Sequence, residues 1–294
     1  MPRYEQPDTI HFQADSATET DPVVLAVSAQ WHSFPAKFEW LVDDGFAIEY
    51  TPDSRNLATV TEHLPTYLAG GVRIRHHGYF PGFEFGDSRP GRAEEALVLH
   101  LRALETIQGI GEPFITFHVG LIPDIPIDPT TAVRNLATLV DYGRKLGITV
   151  SLENLRFGPT SNPDTVLEWT GKTDAMITMD VGHAVSCDMV SDGKMTVCEI
   201  VNLFRHRLGE VHYYESETDR HHAPENMEIL GPVVDALLTT DCRWWTIELN
   251  TRSDVLQTRQ LLADHLIVNR QQQKQALTPT RPCPILPRAV APLP

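Results

Sequence analysis

The chain has 294 residues, 41% hydrophobic and 21% charged, with 24 basic against 39 acidic side chains and a formal net charge of −15. Length and apolar content exclude a disulfide-stapled miniprotein and a disordered tail, and allow one large α/β domain or two small ones. The negative balance disfavours nucleic acid and anionic membrane as partners, because both repel an acidic surface; it leaves a metal site open, since clustered carboxylates are one route to acidity.

Residues 1–22 are polar and lack an apolar core, so they read as an N-terminal arm and not as a secretory leader. From there, short β-branched runs alternate with longer helical patterns. The predicted strands are VVLAVSA (23–29), FAIEYT (46–51), VRIRHH (72–77), FITFHV (114–119), ITVSLEN (148–154), MITMDV (176–181), GEVHYY (209–214) and WWTIELN (244–250). The clearest helices are 93–108 and 131–146, where apolar residues recur at three- and four-residue spacing. Eight strand–helix units within about 250 residues predict a single (β/α)8 TIM barrel, α/β in class, over residues 23–275. Residues 276–294 form a Pro-rich tail, with six prolines between 279 and 294, too many for helix or sheet. It is expected to be a loose end, with a proline-rich partner-binding segment as the sharper alternative. The four cysteines, Cys187, Cys198, Cys242 and Cys283, show no CxxC pair, which fits a reduced cytoplasmic setting. No apolar run is long enough to span a membrane.

Strand parity separates a barrel from an open sheet. In ITVSLEN, Ile148, Val150 and Leu152 share one face while Thr149, Ser151 and Glu153 share the other; FITFHV, MITMDV and WWTIELN alternate in the same way. An open doubly wound sheet buries both faces and reads apolar throughout. An apolar face toward helices and a polar face toward a barrel axis explain the alternation.

The last residues of successive strands are His118, Glu153, Asp180, His212 and Glu248. The C-terminal mouth of a barrel is where its chemistry sits. Carboxylates crowded out of water need a cation. More ligand types flank them. His183 follows Asp180 by three residues in DVGH, Asp219 and His221 form DRH, and His76 and His77 close the third strand. A spacing of two in extended chain points Asp219 and His221 the same way. The candidate ligands are therefore His76, His118, Glu153, Asp180, His183, His212, Asp219, His221 and Glu248. Mixed imidazole and carboxylate donors suit Zn, Mn or Fe better than Ca or Mg. Any one of these alone would be an ordinary strand-end or loop residue; the ordered set carries the signal.

RHHGY, ITFHVG, VSLENLRFG, ITMDVGHA, VHYYESETDRHHAP and WTIELN, taken in order, resemble the motifs of the endonuclease IV/xylose isomerase-like barrels over about residues 23–270. The resemblance implies one of two sites. In the sugar branch, Glu153, Asp180, His212 and Glu248 would hold one Mn or Co ion, Glu153 and Glu248 would move a proton, and His183 would contact substrate. In the phosphodiesterase branch, all nine candidates would hold two to three ions, zinc or manganese first. His76, His118 and Glu153 would hold one, with Glu153 bridging to a second held by Asp180, His212 and Glu248. His183, Asp219 and His221 would hold the third. Parity puts His77 inward if Val72 and Ile74 face out; the family pattern of a His three residues before a Tyr favours His76.

Two features depart from the pattern. Asp219 follows His212 by only seven positions, and the loop after the third strand, GYFPGFEFGDSRPGR, offers wedge-like Tyr79 and Phe80 without a basic cluster. With the acidic charge, this ranks a hydrolase of small or non-DNA phosphodiesters first. A sugar or sugar-phosphate isomerase or epimerase comes second and an abasic-site endonuclease third. A non-enzymatic scaffold with a structural metal comes last. The expected partner is a small molecule, with oligomerisation open. Substrate choice is expected from loop side chains such as Trp31, Glu49, Tyr79 and Arg156.

Overall fold

A computed structural model describes residues 23–277. The N-terminal arm, and the Pro-rich tail from 278 onward, lie outside the described residues. Eight parallel strands close a barrel: β1 (Val24–Gln30), β2 (Ala47–Thr51), β3 (Ile74–Gly78), β4 (Phe114–Phe117), β5 (Thr149–Glu153), β6 (Met176–Asp180), β7 (Leu208–Tyr213) and, after a two-strand hairpin of β8 (Ser216–Glu217) and β9 (His221–His222), β10 (Trp244–Ile247). Each of the first seven barrel strands pairs with the next in sequence, and β10 pairs with both β7 and β1 to close the ring. This is the (β/α)8 TIM barrel that the alternation predicts.

The outer layer includes α1 (Phe34–Asp43), α2 (Thr59–Ala69), α3 (Pro90–Ile107), α4 (Pro129–Leu146), α5 (Pro163–Thr173), α6 (Val181–Ser186), α7 (Asp188–Ser191), α8 (Val197–Phe204), α9 (Gly231–Leu238) and α10 (Arg252–Leu277). Helices α3 and α4 start two to three residues before their apolar periodicity does, because Pro90 and Pro129 occupy first-turn positions. Proline fits there, where its missing N–H has no partner to lose. Asp128 caps α4 by accepting from the N–H groups of Thr130 and Thr131 at 3.2 Å each, a contribution of about 1 kcal/mol. Gly147 ends the helix at φ 74°, a left-handed turn that glycine adopts without strain. Among the described residues, no helix is long and apolar enough to cross a membrane, and Cys187, Cys198 and Cys242 are free thiols.

The core follows the parity. Ile48, Tyr50, Ile115, Phe117, Val150, Leu152, Ile177, Met179, Val211, Tyr213, Trp245 and Ile247 face the helices and are buried. The inward faces are polar yet equally buried, so they must satisfy one another. Thr178 Oγ1 lies 2.7 Å from both Thr116 Oγ1 and Ser151 Oγ. Thr246 Oγ1 donates to Glu210 Oε1 at 2.6 Å. Arg75 pairs with Glu210 Oε2 at 3.2 Å, and its guanidinium lies over the rings of Phe114 and Trp244 at 4.2 and 4.5 Å. These contacts fill the lower barrel and leave the strand C-termini to build a cavity.

Candidate active site at the barrel mouth

Inward parity brings His77, Glu153, Asp180 and His212 to the top of the barrel, with His118 and Glu248 one residue beyond the ends of β4 and β10. Three imidazole nitrogens converge on one carboxylate oxygen. His118 Nε2 is 3.0 Å, His212 Nδ1 3.3 Å and His77 Nε2 3.4 Å from Glu153 Oε2. His212 Nδ1 also lies 3.6 Å from Glu248 Oε1, so one ring nitrogen meets both glutamates. Ligand atoms of His77, His118 and Glu153 fall within 4.8 Å of one another, and so do those of Glu153, Asp180 and His212.

The DVGH turn adds the next layer. Asp180 caps α6 through Oδ1, which accepts from the His183 N–H at 2.6 Å. His183 Nδ1–H donates to the Asn154 carbonyl at 3.0 Å, which leaves Nε2 facing Glu217 Oε2 at 3.2 Å. Gly182 permits this turn to approach Tyr214, since a Cβ there would lie 2.0 Å from the ring. Tyr214 stacks on His221 with centroids 3.9 Å apart. His221 Nδ1–H donates to the Glu248 carbonyl at 2.8 Å, so its Nε2 also faces Glu217, at 4.0 Å from Oε1. His183, Glu217 and His221 thus form a further group of ligand atoms within 4.8 Å.

Two of the sequence expectations are corrected by this geometry. His76 points away from the mouth and donates Nε2–H to the Ile110 carbonyl at 2.7 Å, while His77 faces inward. Adjacent strand residues face opposite sides, and Ile74 and His76 share the helix-facing side. Asp219 is exposed at a turn, where its Oδ1 accepts from the Thr218 hydroxyl at 2.8 Å. The chain reverses between β8 and β9, so the spacing-of-two argument fails; the cross-strand pair Glu217 and His221 shares a face instead. Asp219 lines the cavity but belongs to none of the groups of convergent ligand atoms. His118, Glu153, Asp180, His183, His212, His221 and Glu248 are brought together as expected.

Three further side chains emerge. Glu49 is an inward residue of β2, fully buried, and not a loop group. Glu210 is fully buried beneath His212 and shares its parity. Glu217 is half-buried, and its hairpin is held by Arg156, whose Nη1 donates to the Glu217 and Thr218 carbonyls at 2.8 and 2.6 Å. Of the wedge-like pair, Phe80 packs inside against the His100 ring, and Tyr79 lines the cavity.

Charge complementarity sets the ionisation states. Burial opposes a charged Glu153, but His118 and His212 outweigh it and hold the carboxyl well below the usual range. Burial likewise opposes a charged His212, and the Glu49, Glu248 and Glu153 carboxylates reverse it, raising the imidazole. Burial pushes Asp180 up to about 7, with His183 opposing and Glu153 and Glu248 adding to the rise. Lys37 bridges the ends of β1 and β10 by donating Nζ to the Ser28 and Leu249 carbonyls at 3.1 and 3.4 Å; burial lowers its amine and Glu248 counters.

The donor set fits a divalent cation. Glu49 Oε2, Glu153 Oε2, Asp180 Oδ2 and His212 Nδ1 are buried and make no hydrogen bond. Leaving such atoms unsatisfied costs about 1–3 kcal/mol each, more when charged. A cation among Glu153, Asp180, His212 and Glu248 would satisfy several of them at once. Glu153 and Glu248 open onto a cavity of about 490 Å³, also lined by Gln30, His32, Lys37, Tyr79 and Arg220. That is a volume typical of small-molecule sites.

The profile of the xylose isomerase-like TIM barrels matches residues 38–269. A relative, the uncharacterised protein MJ0008 of Methanocaldococcus jannaschii, is 31% identical over 174 residues, 59% of this chain and 74% of its own. Among solved structures, a D-tagatose 3-epimerase-like protein superposes with TM-score 0.70 at 17% identity, covering 85% of this chain and 99% of that one. An L-ribulose 3-epimerase gives TM-score 0.67 at 12% identity, covering 89% and 100%. A Thermus thermophilus protein, TTHB071, from a crystal soaked with ZnCl2, gives 0.63 at 15%, covering 82% and 97%.

Proposed function

The chain belongs to the xylose isomerase-like TIM-barrel family, and from that premise we propose that it is a divalent-metal-dependent isomerase or epimerase of a small sugar or sugar phosphate. The observation that carries this is the pair of mouth carboxylates, Glu153 and Glu248, which both line the cavity and lie 3.3 and 3.6 Å from His212 Nδ1. Epimerisation beside a carbonyl needs a base on one face of a carbon and an acid on the other. Two carboxylates lining one cavity would supply both, each alternating between carboxylate and carboxylic acid. Glu153, Asp180, His212 and Glu248 would hold the ion, Zn or Mn by donor type. When bound, it supplies Lewis-acid polarisation of the substrate carbonyl. The chain's own residues do the rest. His183, with Nδ1–H committed to the Asn154 carbonyl, presents Nε2 toward the cavity and Glu217. Lys37 keeps the strand ends beside Glu248 in register. Tyr79 and Leu121 line the cavity and limit water around the reacting carbon. Glu153→Gln and Glu248→Gln should each lower epimerisation of a ketopentose and ketohexose panel at least about 10²-fold. Variants that keep full activity would overturn the assignment.

A specific observation also favours a second activity, multinuclear hydrolysis of a small phosphodiester. The His77–His118–Glu153 and His183–Glu217–His221 groups offer ligand atoms beyond the four that one ion needs. Metal analysis separates the two: one tightly bound ion per chain supports isomerisation, and two or three support hydrolysis.

A further inference from the structure

Glu49 lies fully buried on β2, yet neither the strand-end motifs nor the four-residue ion site accounts for it. Its Oε1 lies 3.0 Å from His212 Nε2, a ring on β7, which is not a neighbour of β2 in the barrel. A carboxylate oxygen can only accept, so His212 Nε2 carries the proton. His212 Nδ1, which has no hydrogen bond, then turns toward Glu153 Oε2 and Glu248 Oε1. The other oxygen, Glu49 Oε2, makes no hydrogen bond; it lies 3.8 Å from His77 Nδ1, the same distance at which Glu248 Oε1 meets that nitrogen. His77 Nε2 then points to His118 Nε2 at 3.0 Å and Glu153 Oε2 at 3.4 Å. Glu49 Oε1 therefore holds the far nitrogen of the ring whose near nitrogen meets Glu153 Oε2. Glu210, the other buried acid at this level, cannot substitute for it. Its two oxygens are taken by Thr246 and Arg75.

We propose that Glu49 is a positioning residue: a buried carboxylate that fixes the proton location and ring orientation of His212, so that its Nδ1 presents a lone pair to the metal centre. This rests on the metal-centre reading given above. A carboxylate behind a ligating imidazole orients the ring and raises its basicity, and removing such a partner typically lowers metal affinity about 10- to 100-fold. Glu49 would serve the imidazole of the four-residue site, His212. Glutamine at this position keeps the shape but removes the negative charge that raises the basicity of the His212 ring.

The test is zinc titration of chelator-treated full-length protein, wild type against Glu49→Gln, with ¹⁵N signals of the histidine rings recorded in the zinc-loaded state. Zinc affinity should fall about 10- to 100-fold in the variant. In the wild type, His212 should carry its proton on Nε2, and its ring signals should shift in Glu49→Gln. Affinity within twofold of wild type with unchanged ring signals would overturn the proposal while leaving the metal centre standing. Wild-type protein that binds no zinc would overturn both. If Glu49→Gln does not fold, the wild-type ring signals decide, and His212 protonated on Nδ1 refutes the role.

Discussion

His100 offers a quantitative prediction because its surroundings are so uniform. It sits on α3, 2% exposed, with the rings of Phe80, Phe85 and Phe117 at centroid distances of 5.1, 5.1 and 4.8 Å. Its Nδ1–H donates to the Ala96 carbonyl at 2.7 Å, which holds the neutral ring in place. Burial in this cage pushes the imidazole down from the ordinary 6.5 to about 4. The unfolded chain therefore binds a proton that the folded chain refuses between those values. Stability is fully present above pH 6.5 and is lost as pH falls toward 4. At about 1.4 kcal/mol per pH unit, this one residue removes about 3 kcal/mol over the window. His100→Phe keeps an aromatic ring of similar size and cannot titrate. Urea unfolding of both proteins from pH 7.5 to 4 should show the wild type losing about 3 kcal/mol more than the variant. Parallel pH profiles, with unchanged m-values, would refute the claim that the buried ring stays neutral.

The remaining predictions concern the mouth. Gly182→Ala places a Cβ 2.0 Å from the Tyr214 ring, which stacks on His221; overpacking of this kind costs about 1–3 kcal/mol, read as a lowered Tm, and an unchanged Tm would count against the packing described. Asp219→Ala should leave metal affinity unchanged, because the side chain is exposed at the turn. Glu217→Ala should weaken binding of any ion held beside His183 and His221, measured by titration of the metal-free protein.

The barrel was legible because its strands alternate cleanly. Apolar residues face the helices, while Thr116, Ser151, Thr178 and Thr246 face the axis. The same parity resolves His76 and His77: Ile74 and His76 lie on one face and Arg75 and His77 on the other. The family spacing pointed to His76, and the period-two geometry of the strand overrides it. Glu49 and Glu210 carried the same signal, two residues from inward Thr51 and His212. Glu217 was harder to read. Seven residues from His212 to Asp219 look like an extended run, and only the pairing of Glu217 with His221 shows where the chain turns. Three-dimensional convergence on Glu153 Oε2 has no local sequence signature, because its partners come from β3, β7 and the end of β4.

The most direct test of the central claim is solvent exchange. Metal-loaded protein should be incubated in D2O with a ketopentose and ketohexose panel and the sugars followed by NMR. Proton shuttling by Glu153 and Glu248 predicts deuterium at the carbon beside the carbonyl of at least one sugar, lost in Glu153→Gln and in Glu248→Gln. Metal-loaded protein that exchanges no proton in any sugar, yet cleaves a small phosphodiester, would contradict the isomerase account.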